Sequence, residues 1–115
     1  MYSRLFALVG LFVSISASSM AYADGAAPVT YSFIRSTILV PKCARCHQGP
    51  DAEEGIDLTV YSSLVSNQVF VAGDPANSDI FMQVNAGIMP YGGPKLSADE
   101  IQAIHDWIQE GAQDN

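Results

Sequence analysis

The chain has 115 residues, which is enough for one small domain. It carries 5 Lys and Arg residues against 12 Asp and Glu residues, and this net charge of −7 excludes a protein that binds nucleic acid through a basic surface. Hydrophobic residues make up 49% and charged residues 15%, which excludes an intrinsically disordered chain. Two cysteines are too few for a disulfide scaffold, so the composition indicates a small acidic globular domain.

Residues 1–23 have the pattern of a secretory signal peptide. Arg4 gives a basic start, residues 5–15 are apolar, and residues 21–23 (Ala-Tyr-Ala) form a small-x-small cleavage site. An uncleaved membrane anchor is the weaker interpretation, because a bilayer span needs about 20 apolar residues. We therefore expect cleavage after Ala23, export to the periplasm and no stable membrane insertion. The exported chain would keep 4 basic and all 12 acidic residues, a net charge of −8.

The first part of the exported chain predicts a leader and a short helix. Gly, Pro and small residues dominate residues 24–30, so we expect this segment to be flexible. Apolar residues at helical spacing then predict a helix over residues 31–39, and Pro41 is expected to limit it. We place the folded domain at residues 31–113.

Two further short helices are predicted in the middle of the chain. Residues 60–65 would form one of them, with Thr59 as its N-cap. Residues 79–84 or 79–85 would form the other, capped by Ser78 and stopped by Gly87 in the position after the C-cap.

The last helix has the clearest signals. Ser97 and Glu100 have the spacing of a capping box, in which each side chain binds the other residue's free amide. Leu96 and Ile101 are placed as a hydrophobic staple at this start. The apolar stripe of this helix consists of Ile101, Ile104 and Ile108, and Trp107 widens it. Gly111 ends the helix. No alternating pattern is long enough for a sheet, so we predict an all-α domain of about 4–5 short helices with long loops.

The segment Cys43-Ala-Arg-Cys46-His47 is the main candidate for chemistry, and three interpretations compete. A redox dithiol would favour a βαβ unit before the motif, and none is predicted. A zinc site would need a fourth ligand, for which His105 is the remaining histidine. The third interpretation is covalent haem, for which C-x-x-C-H is the known attachment pattern.

The haem interpretation explains all three side chains together. Cys43 and Cys46 lie three residues apart, so on one helical turn both thiols can add to vinyl groups of one porphyrin. The adjacent His47 then faces the iron with its imidazole. An export signal strengthens this interpretation, because c-type haem is attached outside the cytoplasm.

On this motif and four later landmarks, the sequence resembles class I c-type cytochromes. It is most similar to the short single-haem domain found in planctomycete multidomain proteins. The later landmarks are Gly55-Ile-Asp-Leu58, Gly73-Asp-Pro75, Gly87-Ile-Met-Pro90 and the last helix from Ser97 to Gly111. The resemblance implies a cytochrome c-like bundle wrapped round one covalently bound haem c, with His47 as the proximal iron ligand.

Three residues of the exported chain are candidates for the second axial ligand: Met82, Met89 and His105. Met82 lies inside a predicted helix, where we expect it to fill the core, and His105 lies on the flank of the last helix, where we expect it to be solvated. Met89 precedes Pro90 in a glycine-rich loop whose backbone can approach the ring closely. The resemblance also implies a Met-Pro distal ligand, which corresponds to Met89.

Other side chains are weaker candidates for contact with haem or with a partner. Lys42 and Arg45 could offset propionate charge, although solvated cations are the simpler expectation. Three aromatic residues could wall the haem, and the last two of them could donate to a propionate: Tyr61, Tyr91 and Trp107. An acidic loop could dock a basic redox partner, or simply keep the protein soluble: Asp51, Glu53, Glu54 and Asp57.

The favoured function is a soluble monomeric electron carrier that shuttles single electrons between redox partners, and not an enzyme. A haem subunit of a larger oxidoreductase would need the same site, so the sequence leaves this alternative open. The remaining alternative is a haem-based redox or gas sensor in which Met89 dissociates from the iron. A sensor is normally joined to an output module, for which we identify no segment.

Overall fold

The computed structural model describes residues 27–115, and the predicted signal peptide and the start of the predicted leader lie outside them. Four α-helices follow one another: α1 (Tyr31–Ile34), α2 (Tyr61–Ser66), α3 (Asp79–Asn85) and α4 (Ala98–Gln109). Residues 27–115 contain no β-strand, so the all-α prediction is confirmed. Within this range no helix has both the length and the apolar character that a membrane crossing requires.

The first helix is longer than predicted. Thr30 caps α1 by accepting a hydrogen bond from the Phe33 amide, and a π-helix over Arg35–Cys43 then continues α1 without a break. Pro41 therefore lies inside the helix instead of limiting it. Proline has no N–H to donate, and the wider π turn accommodates its ring while the Ala44 amide bonds the Leu39 carbonyl, five residues back. We call residues 31–43 the N-terminal helix.

The core forms where the N-terminal helix packs against α4. Apolar residues of the two helices are almost completely buried, and side chains of α2 and α3 complete the cluster. Its main members are Ile34, Ile38, Leu39, Leu64, Ile80, Val84, Ile104, Trp107 and Ile108. Burial of these stripes is what stabilises such short helices, because helices of this length are marginal in isolation.

An aromatic cluster extends this core. Trp107 is 1% exposed and contacts Tyr31, Tyr61 and Phe70, with ring centroids 5.9, 6.5 and 5.2 Å away. The Trp107 ring N–H donates to the Gln113 carbonyl at 3.0 Å, so the proposed hydrogen bond from Trp107 to a propionate is wrong. The polar atoms of the cluster bind the chain itself, which rigidifies this end of the domain.

The capping box of α4 is confirmed. The Ser97 hydroxyl accepts from the Glu100 amide, and the Glu100 carboxylate accepts from the Ser97 amide at 2.8 Å. The Glu100 carboxylate also pairs with Lys42 at 2.8 Å. Lys42 is therefore not a free solvated cation, and it joins the end of the N-terminal helix to the start of α4.

Two predicted caps are wrong. The Thr59 hydroxyl donates to Asp57 at 2.6 Å, and α2 begins after Val60 without a side-chain cap. Ser78 occupies the N-cap position of α3, but its buried hydroxyl accepts from the Val71 amide and donates to the Asp74 carbonyl. Both hydroxyl groups bind loop atoms because the folded loop brings those atoms closer than the first turn of the helix.

The predicted helix ends are confirmed. Gly87 follows the C-cap of α3 with a φ of +71°, and Gly111 follows the C-cap of α4 with a φ of +111°. Side chains other than glycine rarely adopt these angles, so both glycines end their helices.

Candidate functional site

The motif Cys43-Ala-Arg-Cys46-His47 forms one helical turn at the end of the N-terminal helix. The Cys43 carbonyl accepts hydrogen bonds from the amides of Cys46 and His47, at 3.1 and 3.0 Å. The two thiols and the imidazole are therefore carried by the same turn. This is the arrangement that the covalent haem interpretation requires.

The His47 imidazole is oriented by a backbone carbonyl. Its Nδ1 lies 3.2 Å from the Ile56 oxygen. A carbonyl can only accept, so the proton of this hydrogen bond belongs to Nδ1, and in the neutral ring the lone pair is then on Nε2. Histidine ligands of metals generally donate their other ring N–H in this way. His47 is therefore prepared to bind a metal through Nε2.

The loop after His47 folds back over it. The Leu58 amide donates to the His47 carbonyl at 2.9 Å, and the Glu53 amide donates to the Cys46 carbonyl at 2.7 Å. Asp57 closes the loop, since its carboxylate accepts bonds from Gly49 and Thr59. The hydrogen bond from Thr59 and that from Gly49 hold the pKa of the Asp57 carboxyl below its usual value.

The two thiols are unpaired and in different surroundings. Cys43 is half-buried and packs against the core, and Cys46 is exposed. Burial raises the pKa of the Cys43 thiol to about 11, an effect that the nearby Glu100 carboxylate reinforces. This shift is opposite to the lowered thiol pKa that a reactive redox dithiol requires.

Met89 lies in the loop that joins α3 to α4. Its side chain is half-buried and packs against the core, as Cys43 does. The Met89 and Ile88 amides both donate to the Gln83 carbonyl, at 3.1 and 3.0 Å, which ties the loop to α3. From the other side, the Lys95 ammonium donates to the Pro90 carbonyl at 2.6 Å. Met89 is thus presented by a loop that is fixed at both ends.

The other two ligand candidates have different environments from those expected. Met82 is 39% exposed, so the prediction that it fills the core is wrong. α3 turns Ile80 and Val84 into the core, and Met82 lies on its outer side. His105 is half-buried, with its Nδ1 3.0 Å from the Asp106 carboxylate and its ring 5.3 Å from that of Phe81. This pairing lowers the pKa of Asp106 below its usual value.

The remaining candidate side chains are either exposed or hydrogen-bonded within the protein. Arg45 is exposed, and Tyr91 is 86% exposed. The Tyr61 hydroxyl donates to the Ala112 carbonyl at 2.7 Å, so it supports the fold. In the acidic loop the carboxylates of Asp51, Glu53 and Glu54 are exposed. The carboxylate of Asp57 instead accepts hydrogen bonds from within the loop.

The geometry disfavours zinc. Within residues 27–115 no group of three or more His, Cys, Asp and Glu side chains is arranged to hold a metal ion. His105, the only other histidine, is engaged with Asp106 on α4. A tetrahedral site made of protein ligands alone therefore has no support in this part of the chain.

Comparison with known proteins gives one finding. The family model described as Planctomycete cytochrome C matches residues 43–91. The chain contains a cytochrome c-like domain. The matched range of this domain begins at Cys43 and includes Cys46, His47 and Met89. No curated protein and no solved structure is significantly similar to the chain.

A cytochrome c-like domain implies haem c and electron transfer, and the residues present fit this group. Two free thiols lie on one turn, and the Nε2 atom of His47 can bind a metal. The side chain of Met89, held in its loop, offers a soft thioether sulfur. The sequence reasoning missed two residues of the cytochrome c-like domain that support these side chains, Asp57 and Lys95. The spacing Asp57-x-Thr59 is a signal for the first, because an Asp side chain often binds the amide two residues on.

Proposed function

We propose that the chain is an exported, single-haem c-type cytochrome that carries single electrons between redox partners as a soluble monomer. It is not itself an enzyme. The observation that carries this proposal is the oriented His47: its Nδ1 proton is bound by Ile56, directly beside two unpaired thiols. Such a histidine can offer Nε2 to a metal, and the two thiols of the same motif are those that covalent haem attachment requires.

Each side chain has a distinct role in this proposal. The thiols of Cys43 and Cys46 would hold the porphyrin through two thioethers, each made by adding S–H across one vinyl group, with sulfur on one vinyl carbon and the hydrogen on the other. This addition needs no oxidant. His47, through Nε2, and Met89, through its thioether sulfur, would hold the iron. The bound haem would supply the iron that takes up and releases one electron.

The proposed ligand pair determines the range of the potential. Methionine and histidine together give a higher potential than two histidines, because the soft thioether favours ferrous iron. The Nδ1–H bond of His47 acts in the opposite direction, since it makes the imidazole a stronger donor. The chain's own hydrogen bonds therefore tune the potential within that range.

Covalent attachment is tested by mass spectrometry of protein made in cells with an intact haem-attachment system. We expect one haem that survives denaturation, and a pyridine haemochrome spectrum of the c type. Cys43→Ala and Cys46→Ala should each leave only one thioether, whereas Ser62→Ala, an exposed control, should leave both. An unmodified wild-type mass would contradict the proposal.

The second axial ligand is tested with Met89→Ala. We expect it to lower the potential, to abolish the sulfur-to-iron charge-transfer band of the ferric protein and to open the iron to carbon monoxide. Met82→Ala and His105→Ala are the matched controls and should change none of these properties. If His105→Ala had these effects and Met89→Ala had none, two histidines would bind the iron and the assignment of Met89 would be wrong.

The proposed partner has a basic docking face. The chain has a net charge of −7, and three carboxylates of the loop after His47 are exposed. Electrostatic attraction would then accelerate association, and salt would screen it over a Debye length of about 10 Å at 0.1 M. Electron transfer with the physiological partner should slow as ionic strength rises. A rate that is independent of salt would contradict this docking mode.

A further inference from the structure

In the loop of residues 47–59, one side chain binds both arms. The outgoing arm begins at His47, and the returning arm ends at Thr59. The Asp57 Oδ2 atom accepts from the Gly49 amide at 2.8 Å, two residues after His47. The Asp57 Oδ1 atom accepts from the Thr59 amide at 2.9 Å and from the Thr59 hydroxyl at 2.6 Å. The carboxylate thus fastens the outgoing arm of the loop to the returning arm.

From this geometry we propose that Asp57 is a positioning residue for His47, which holds the Ile56 carbonyl against the imidazole and thereby tunes the haem potential. This inference rests on the proposed function, because it assumes that His47 binds the haem iron. Asp57 does not touch the imidazole itself. It acts through the peptide group that precedes it.

The backbone on both sides of Asp57 contacts His47. The Ile56 carbonyl, one residue before Asp57, accepts from the His47 ring, and the Leu58 amide, one residue after, donates to the His47 carbonyl. The Asp57 amide is itself bound, since it donates to the Ser63 hydroxyl of α2 at 3.0 Å. A change in the orientation of residue 57 would therefore move the carbonyl that orients the imidazole.

The returning arm is anchored on the N-terminal helix as well. The Arg35 Nε donates to the Thr59 carbonyl at 2.7 Å, and the Tyr31 hydroxyl donates to the Leu58 carbonyl at 3.3 Å. The helix that carries Cys43 thus also holds the segment that orients His47. Asp57 completes this closed arrangement by linking the anchored arm to Gly49.

A carboxylate suits this position because each of its oxygens faces a donor. Asparagine would turn an NH₂ group toward either the Gly49 amide or the Thr59 donors, so one set of bonds would be lost. Bonds to an ionised acceptor are also about twice as strong as neutral ones. Asp57→Asn should therefore loosen the loop while its size stays the same.

The test uses the ferrous holoprotein and the exchange rate of the His47 ring N–H, measured by NMR. Asp57→Asn should accelerate this exchange by about tenfold, because the loop then opens more often. Asp51→Asn is the matched control: it removes the same charge from the same loop, its side chain is exposed, and it should leave the rate unchanged. An unchanged rate in Asp57→Asn would overturn the inference.

The midpoint potential gives a second readout that a purely structural role would not move. A weaker Nδ1–H bond makes the imidazole a poorer donor, so Thr59→Val, which removes the 2.6 Å bond to Asp57 and no charge, should raise the potential. An unchanged potential in Thr59→Val would overturn the inference.

Two further measurements keep the test decisive. If Asp57→Asn fails to fold, Thr59→Val replaces it, because this variant removes only the 2.6 Å bond to Asp57 and no charge. It should accelerate the ring exchange to a smaller extent, and wild-type exchange would overturn the inference. The wild-type spectrum is recorded first. A covalent low-spin haem there upholds the proposed function whatever Asp57→Asn does, whereas its absence would overturn both proposals.

Discussion

The contact between Lys42 and Glu100 joins the helix that carries the haem-attachment motif to the start of α4. The Glu100 carboxylate accepts from Lys42 at 2.8 Å and from the Ser97 amide at 2.8 Å. We perturb it with Glu100→Gln, with Lys42→Met and with both changes together. The double-mutant cycle isolates the free energy of the ion pair from the other effects of each substitution.

The expected magnitude follows from exposure and geometry. The side chains of Lys42 and Glu100 are 34% and 24% exposed, so the pair lies between a surface and a buried one. We expect a coupling of about 0.5–1 kcal/mol, the upper part of the range for exposed pairs. Glutamine keeps an acceptor for the Ser97 amide but loses the charge that pairs with Lys42. Glu100→Gln should therefore lower the free energy of unfolding by about 1–1.5 kcal/mol in total.

The assay is urea denaturation followed by far-UV circular dichroism, at neutral and at acid pH. The hydrogen bond from Lys42 and that from Ser97 hold the pKa of Glu100 below its usual 4.5. A lowered pKa means that this stabilisation is fully present above pH 4.5 and is lost as pH falls through the lower, folded value. The difference in stability between wild type and Glu100→Gln should therefore shrink in acid.

The control is Asp99→Asn, which removes a charge from the same first turn of α4 but from an exposed side chain. It should cost only about 0.3–0.5 kcal/mol through the helix dipole and show no coupling to Lys42→Met. If Glu100→Gln and Lys42→Met were additive to within about 0.2 kcal/mol, the reasoning about this contact would be refuted.

Three further predictions concern the haem, the distal loop and the core. The double variant Cys43→Ala/Cys46→Ala should lose most of its helical circular dichroism, since a chain of this size buries little apolar surface without the porphyrin, and a retained cooperative thermal transition would contradict this. Lys95→Met removes the donor of the 2.6 Å bond to the Pro90 carbonyl, so the ferric charge-transfer band should weaken and carbon monoxide should bind more readily. The charge control Arg45→Met should match wild type. Trp107→Phe leaves the Gln113 carbonyl without its donor and should destabilise the protein by about 1–2 kcal/mol, measured as a lower melting temperature, whereas Tyr91→Phe should not.

The sequence determined those features that depend on residues within one or two helical turns. The capping box of Ser97 and Glu100 forms as predicted, and Gly87 and Gly111 end their helices, because the groups that bond lie within four residues of each other. The motif of Cys43 to His47 likewise forms one turn. The all-α architecture followed from the hydrophobic periodicity, which needs no knowledge of how the helices pack.

Only the tertiary structure decided where polar side chains with several possible partners would bind. A hydroxyl or carboxylate binds whichever donors and acceptors the fold brings nearest, and for Thr59, Ser78 and Asp57 these are loop atoms. For Asp57 the spacing to Thr59 signals only the local bonds, whereas the bond that closes the loop depends on Gly49, eight residues earlier, folding back within 2.8 Å. The exposure of Met82 was equally undetermined, since a short helix such as α3 offers both of its faces to the core until α4 packs against one of them.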